Sequence, residues 1–403
     1  MPTRRLVILA VGTFVLGVDG FVLAGLLPAV ARSLHVGVAQ AGQLTTAFAI
    51  AYALGSPLIA TVLGRFDRRV VVGGGMAVFL LGMVGQALGP TYGVVMAGRI
   101  LSALGAAAFQ ANAYAVVGVL SSPERRARSL AMVGAGSSLA TVVGVPVGAL
   151  VGQQIGWRAT LWGIAGMAAV AAGLCLALPA VRLPAASLRE RFRILRTPSM
   201  LLLLCGTALQ LVPQYAVIGY IAPILGAQGR TATRTLLALM VFGAAFFTGN
   251  RLVGQLADRW GGLRVITLGL SISALALVTL WAVRPSIVPA LAALAALGLV
   301  GSFQVTPQQT RVFAASGTAA TVALGLNGSM IYVGSGGGAA LGGGVLALAG
   351  AGFVPLVAAG AALVALTFLL ATAPERKAAQ GDASCRNGSS LPTAIAARQP
   401  TGR

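Results

Sequence analysis

Across 403 residues, 57% are hydrophobic and only 9% are charged, which leaves too little polar surface to cover a water-soluble globule. The formal charge of +21 invites a nucleic-acid reading, but no basic face is interleaved with exposed aromatics, and that class is set aside. One histidine (His35) and three cysteines without CxxC spacing (Cys175, Cys205, Cys385) offer no disulfide framework, metal site or His-based triad, and no cofactor is expected.

Taken in chain order, apolar stretches recur that are each long enough to cross about 30 Å of hydrocarbon at about 1.5 Å per residue. The spans are predicted at about 6–30, 38–63, 70–89, 92–119, 130–152, 158–180, 199–224, 233–256, 264–283, 286–309, 318–347 and 351–373. Helices are expected, because the runs lack the every-second-residue alternation of a membrane barrel. The first segment begins like a signal peptide with Arg4 and Arg5, but it is too long and Asp19 interrupts it. With the N-terminus inside, Arg32, Arg158, Arg230, Arg234 and Arg284 fall outside, Arg99 and Arg251 fall within spans, and the other 21 of the 28 basic residues are cytoplasmic. That is the positive-inside bias of an inner-membrane protein with both termini in the cytoplasm.

A basic linker, which includes Arg189, Arg191, Arg193 and Arg196, follows the sixth span and divides the chain into two six-span halves. The predicted organisation is an N-terminal bundle (1–180), the linker (181–198), a C-terminal bundle (199–374) and a disordered cytoplasmic tail (375–403). The halves repeat. Gly64-Arg65-Phe66-Asp67-Arg68-Arg69 follows the second span, and Gly254-Gln255-Leu256-Ala257-Asp258-Arg259 opens the corresponding turn after the eighth. In the fifth span Gly136, Ala140, Gly144, Gly148 and Gly152 stack small residues on one face, and the eleventh repeats the device with Gly334, Gly338 and Gly342, thickened by Gly336, Gly337, Gly343 and Gly344. Tight static packing explains each stripe by itself; their matching places point to an interface that rocks or slides between the halves.

These residues resemble the major facilitator superfamily over about 5–375. GQLADRWGGLR at Gly254 to Arg264 is similar to its loop motif, Arg99 to Gly105 resembles RxxxGxG, and Gly144-Val-Pro146-Val-Gly148 resembles the GPxxG signature of proton-driven exporters. GVDGFVLAGLLPAVA at Gly17 to Ala31 looks most like bacterial drug:proton antiporters of the chloramphenicol-efflux and arabinose-efflux type. The first loop motif departs from the pattern, and Asp19 stands one position earlier than the carboxylate of such relatives. The resemblance implies an all-α fold of twelve transmembrane helices in two pseudo-symmetric six-helix bundles. It also implies proton-coupled export of a small, largely apolar drug, chloramphenicol-like first of all, by a functional monomer.

Asp19 lies near the bilayer centre, where a charge costs roughly 2.5 to 3.5 kcal/mol, and Arg99 can reach the same depth. Asp19 is read as the carrier of the coupling proton with Arg99 tuning its affinity; a static ion pair and direct drug contact are the alternatives. Asp258 and Arg259 with Gly254, and Asp67 with Arg68, are expected to latch the conformation, with an aspartate capping a neighbouring helix. Gly144, Pro146, Gly148, Gly338 and Gly342 are expected as hinge and packing positions. By the resemblance, the first, fourth, seventh and tenth spans line the cavity with Phe21, Gln110, Asn112, Tyr114, Gln210, Tyr215, Tyr220, Gln304, Gln308 and Gln309. This amide and aromatic set suits a weakly polar ligand with a ring. The rival readings are an exporter of sugars, nucleosides or an endogenous natural product, a passive channel, and a membrane-embedded enzyme. The enzyme lacks a cluster of reactive side chains at one depth.

Overall fold

Twelve helices among the described residues are long and apolar enough to cross a membrane. They are α1 (Thr3–Ser33), α2 (Val38–Arg65), α3 (Arg68–Leu88), α4 (Tyr92–Val117), α5 (Met132–Gln154) and α6 (Trp157–Cys175) in the first half. The second half holds α7 (Pro198–Ile218), α8 (Thr233–Trp260), α9 (Gly262–Val283), α10 (Ile287–Ala315), α11 (Val322–Ala349) and α12 (Ala351–Ala371). The computed structural model describes residues 3–181, 193–226, 231–284 and 286–373; most of the linker with Arg189 and Arg191, Arg230, and the tail with Cys385 lie outside them.

The expected twelve-helix architecture is present, with two local departures. The seventh span ends early, because the chain bends after Ile218 and Tyr220 leads into a separate short helix, Ile221–Leu225. The fifth carries a π-helical turn at Ala140–Gly144, in which Val145 N–H bonds the Ala140 carbonyl. Pro146 follows at once; having no N–H to give, it cannot continue the regular ladder, and the extra residue of the π turn absorbs the defect.

Apolar side chains are divided between lipid and interior by helix face rather than by helix. On α2, Ile50, Leu54, Leu58 and Val62 form an exposed stripe at four-residue spacing, while Leu44, Phe48 and Tyr52 are buried. α3 and α4 approach closely, with glycines of each meeting the backbone of the other. A Cβ on Gly105 would sit 2.6 Å from the Gly75 carbonyl oxygen, and one on Gly82 would sit 2.7 Å from that of Gly98. Nothing larger than glycine fits at these crossings.

The four-spaced glycines of the two stripes pack within their own halves, where the expectation put them at the interface between halves, whereas Gly336 and Gly343 of the eleventh span do reach the other half. Gly136, Gly144, Gly148 and Gly152 of α5 face Ala10, Val18, Val22 and Leu26 of α1, with a Cβ on Gly148 reaching 2.7 Å from Val22. In the same way Gly334, Gly338 and Gly342 of α11 face α7, where Gly338 has room for no Cβ against the Val212 carbonyl, 2.6 Å away. The stripes match because both halves are built on one plan, α1 on α5 and α7 on α11.

The seam between halves uses Gly336 and Gly343, from the thickened part of the α11 stripe, and glycines of α1 and α8. Gly336 lets α11 approach Ala49 of α2, Thr46 Oγ1 donates to the Gly336 carbonyl at 3.4 Å, and Gly343 lies against Gln43. On the other flank Gly243 of α8 meets Thr141 of α5, and Gly25 meets Leu239. These contacts lie at mid-depth and toward the end of the bundle away from the chain termini. There the Tyr220 ring fills the space beside Gly42, Gly342 and Gly343, and its hydroxyl donates to the Ala339 carbonyl at 2.9 Å.

Candidate functional site

At the middle of α1, Asp19 Oδ1 pairs with Arg99 Nη1 of α4 at 2.5 Å, with the two side chains 1% and 2% exposed. Asp19 Oδ2 and Arg99 Nε have no hydrogen-bond partner, so the pair is held by one strong contact where two are chemically possible. The apolar runs on either side exclude water, and a lone charge there would cost several kcal/mol. Each residue therefore requires the other for as long as both are charged.

The guanidinium carbon of Arg99 lies 4.4 Å from the centroid of the Phe48 ring, so the cation has a carboxylate on one contact and a π face on another. Phe48 in turn packs at 6.1 Å against Tyr332 of α11, and Tyr332 stacks on Tyr52 with centroids 3.6 Å apart. The Tyr332 hydroxyl donates to Gln110 Oε1 of α4 at 3.4 Å. Likewise joining the two halves, Phe21 of α1 stacks on Tyr215 of α7 at 5.7 Å. Five helices from both halves thus bring an ion pair, an amide and six rings (those five and Tyr114, half-buried on α4) into one connected group, which on α4 extends about 22 Å along the helix from Arg99 to Tyr114.

Of the residues read from the sequence, Asp19, Arg99, Phe21, Gln110, Tyr114 and Tyr215 are gathered here. Five expected lining residues point elsewhere. Asn112 is buried with Oδ1 accepting from Arg68 Nη1 at 2.9 Å and Nδ2 donating to the Ala108 carbonyl at 2.7 Å. Tyr220 seals the far end, as described. Gln304 turns toward α9, where Nε2 donates to Ser273 Oγ at 3.3 Å. The first half mirrors that pair, since Gln86 of α3 donates to Ser102 of α4 at 3.3 Å. Gln308 donates to the Leu203 carbonyl at 2.7 Å and accepts from Arg311, and Gln309 is exposed. Gln210 differs from all of these: it is buried and neither amide atom has a partner.

The loop residues also separate. Asp67 caps α3, accepting from Arg69 N at 2.9 Å and from Val181 N at 3.0 Å, while Arg68 N donates to the Val181 carbonyl at 2.8 Å. Asp258 and Arg259 are exposed, Gly254 has open space around it, and α9 follows Gly261 without a side-chain cap. Hence the degenerate loop motif makes the capping contact here, and the better-matched one does not. Arg251 is exposed with its guanidinium 4.5 Å from the Phe247 ring.

Phe48, Tyr52 and Tyr332 were not selected from the sequence, which directed attention to four other spans. The available signals were an aromatic pair at i, i+4 in the second span and a lone tyrosine in a helix otherwise rich in glycine and alanine.

Residues 9–323 match the Major Facilitator Superfamily. The chain is 36% identical over 261 residues to a chloramphenicol resistance protein of Streptomyces lividans, covering 63% of this chain and 67% of that one. It is 32% identical over 378 residues to the inner membrane transport protein YdhP of Escherichia coli, covering 92% of this chain and 96% of that one. The crystal structure of a D-xylose-proton symporter superposes with a TM-score of 0.76 at 16% identity, over 93% of this chain and 98% of the other, and shares the fold.

Proposed function

The chain belongs to the Major Facilitator Superfamily and is a multi-pass membrane transport protein, and from that premise we propose that it expels a small, largely apolar drug in exchange for protons. The observation that carries this reading is the buried Asp19–Arg99 pair at mid-depth beside an aromatic and amide surface shared by both halves. A carboxylate so placed can hold a proton in one state and a cation in the other. Taking up the proton frees Arg99, and releasing it restores the pair, so proton binding and the arrangement around the site are linked.

Phe21, Tyr114 and Tyr215 offer ring faces, and Gln110 and Gln210 offer amide groups, to a ligand with an aromatic ring and a few polar atoms. The likeness to a chloramphenicol resistance protein favours that antibiotic class as cargo. With both termini in the cytoplasm, as the distribution of basic residues favours, the end sealed by Tyr220 is the outer one.

Chloramphenicol accumulation in cells carrying the wild type or Asp19→Asn, each with and without a protonophore, tests the proposal. The wild type should lower accumulation until the protonophore abolishes the difference, and Asp19→Asn should accumulate drug like cells lacking the gene while remaining folded in the membrane. Full export by Asp19→Asn would exclude Asp19 as the proton carrier.

A further inference from the structure

We propose that Phe48 is the residue that couples the charge state of the Asp19–Arg99 pair to the seam between the two halves. The inference rests on the proton-exchange reading and adds to it a specific mechanical link. Phe48 touches both systems. One face receives the Arg99 guanidinium at 4.4 Å, and the ring packs at 6.1 Å on Tyr332, which belongs to the opposite half. Tyr332 is itself held to the first half at two further points, by the 3.6 Å stack on Tyr52 and by the hydroxyl to Gln110. Phe48 and Tyr52 lie one turn apart on one face of α2, so a shift of the first ring is felt by the second.

The direction of the effect follows from what Arg99 loses on protonation of Asp19. The guanidinium is buried, its Nε is already without a partner, and the only described anion beside it is Asp19. Once that carboxyl is neutral, Phe48 is the remaining electrostatic contact identified for the cation. Arg99 must then move toward the ring or leave it, and either motion repacks Phe48 against Tyr332. The other titratable side chains around the site are the phenols of Tyr332, near Asp19, and of Tyr52, Tyr114 and Tyr215, near Tyr332, and a phenol is an uncharged group at neutral pH. Arg158, the charged residue of α6, is remote, bound at the far end to Ser33 and the Gly89 carbonyl. The closed seam therefore belongs with the charged pair, and protonation loosens it through a single ring.

The test needs no substrate. In a background with Cys175, Cys205 and Cys385 replaced by serine, spin labels at Val38 and Leu348 report the far end of α2 and of α11 by electron–electron double resonance in nanodiscs. Acidification should move wild type from a single short distance toward a longer one. Asp19→Asn should give one distribution at every pH. Phe48→Leu, which keeps an apolar side chain and removes the π face, should lose the pH-dependent shift, and Phe48→Trp should retain it. Replacing Phe48 with a trifluorinated phenylalanine preserves shape while weakening the cation contact, and should flatten the response if Phe48→Leu does not fold. A pH response of wild-type size in Phe48→Leu or in the fluorinated protein overturns the role of Phe48 alone. A wild type indifferent to pH overturns the proton-exchange reading and this inference with it.

Discussion

Asp19 and Arg99 are each tolerable in the bundle only because the other is there. Removing one charge leaves the other buried, so Arg99→Met should destabilise the protein by about 3–5 kcal/mol, whereas Asp19→Asn combined with Arg99→Met should recover most of that loss. Thermal unfolding of the purified single and double variants measures the cycle, and equal losses in Arg99→Met and the double variant would mean that the charge is compensated elsewhere. The ionic residues were legible in the sequence because a charge within an apolar run has few explanations. The rings beside them were not, since an aromatic residue in a membrane helix is most often ordinary packing until its neighbours are known. Asn112 shows the converse: its amide looked available for a ligand, and tertiary structure gives it to Arg68.

At the level of the element, small residues decide how near two helices can come. Gly105→Ala places a methyl group against the backbone of α3 and should lower stability by about 1–3 kcal/mol, while Gly163→Ala on an open face of α6 should be neutral or slightly stabilising. Detergent-phase melting curves distinguish them; similar melting of both variants would show that α3 and α4 separate at little cost. The stripes of α5 and α11 were plain from spacing alone, but spacing along one helix says nothing about which neighbour it faces. The structure turned the four-spaced glycines of both inward on their own halves and gave the seam to Gly336 and Gly343, the thickening of the α11 stripe, and to Gly243 of α8. The π turn before Pro146 likewise follows from the missing proline N–H.

For the molecule as a whole, alternating access requires that one end be closed while the other admits ligand. Tyr220 occupies the closed end, lying on two glycines of α11 and one of α2 with its hydroxyl bonded to backbone. Tyr220→Ala should open that end. In the cysteine-free background, Gln43→Cys should then react about ten-fold faster with an impermeant maleimide added to intact cells, as a shift of about 1.4 kcal/mol in the open–closed balance would produce. Unchanged labelling would remove Tyr220 from the seal. The sequence by itself determined the solvent, the twelve helices and the twofold plan, because hydrocarbon imposes a length and an apolar composition on every span and a repeat is visible as repeated motifs. It also determined that Asp19 and Arg99 must be answered by something. Only the tertiary structure decided what answers them and how the two halves meet, because a helix that is apolar on every side carries no mark of which face is turned to lipid and which to its partner.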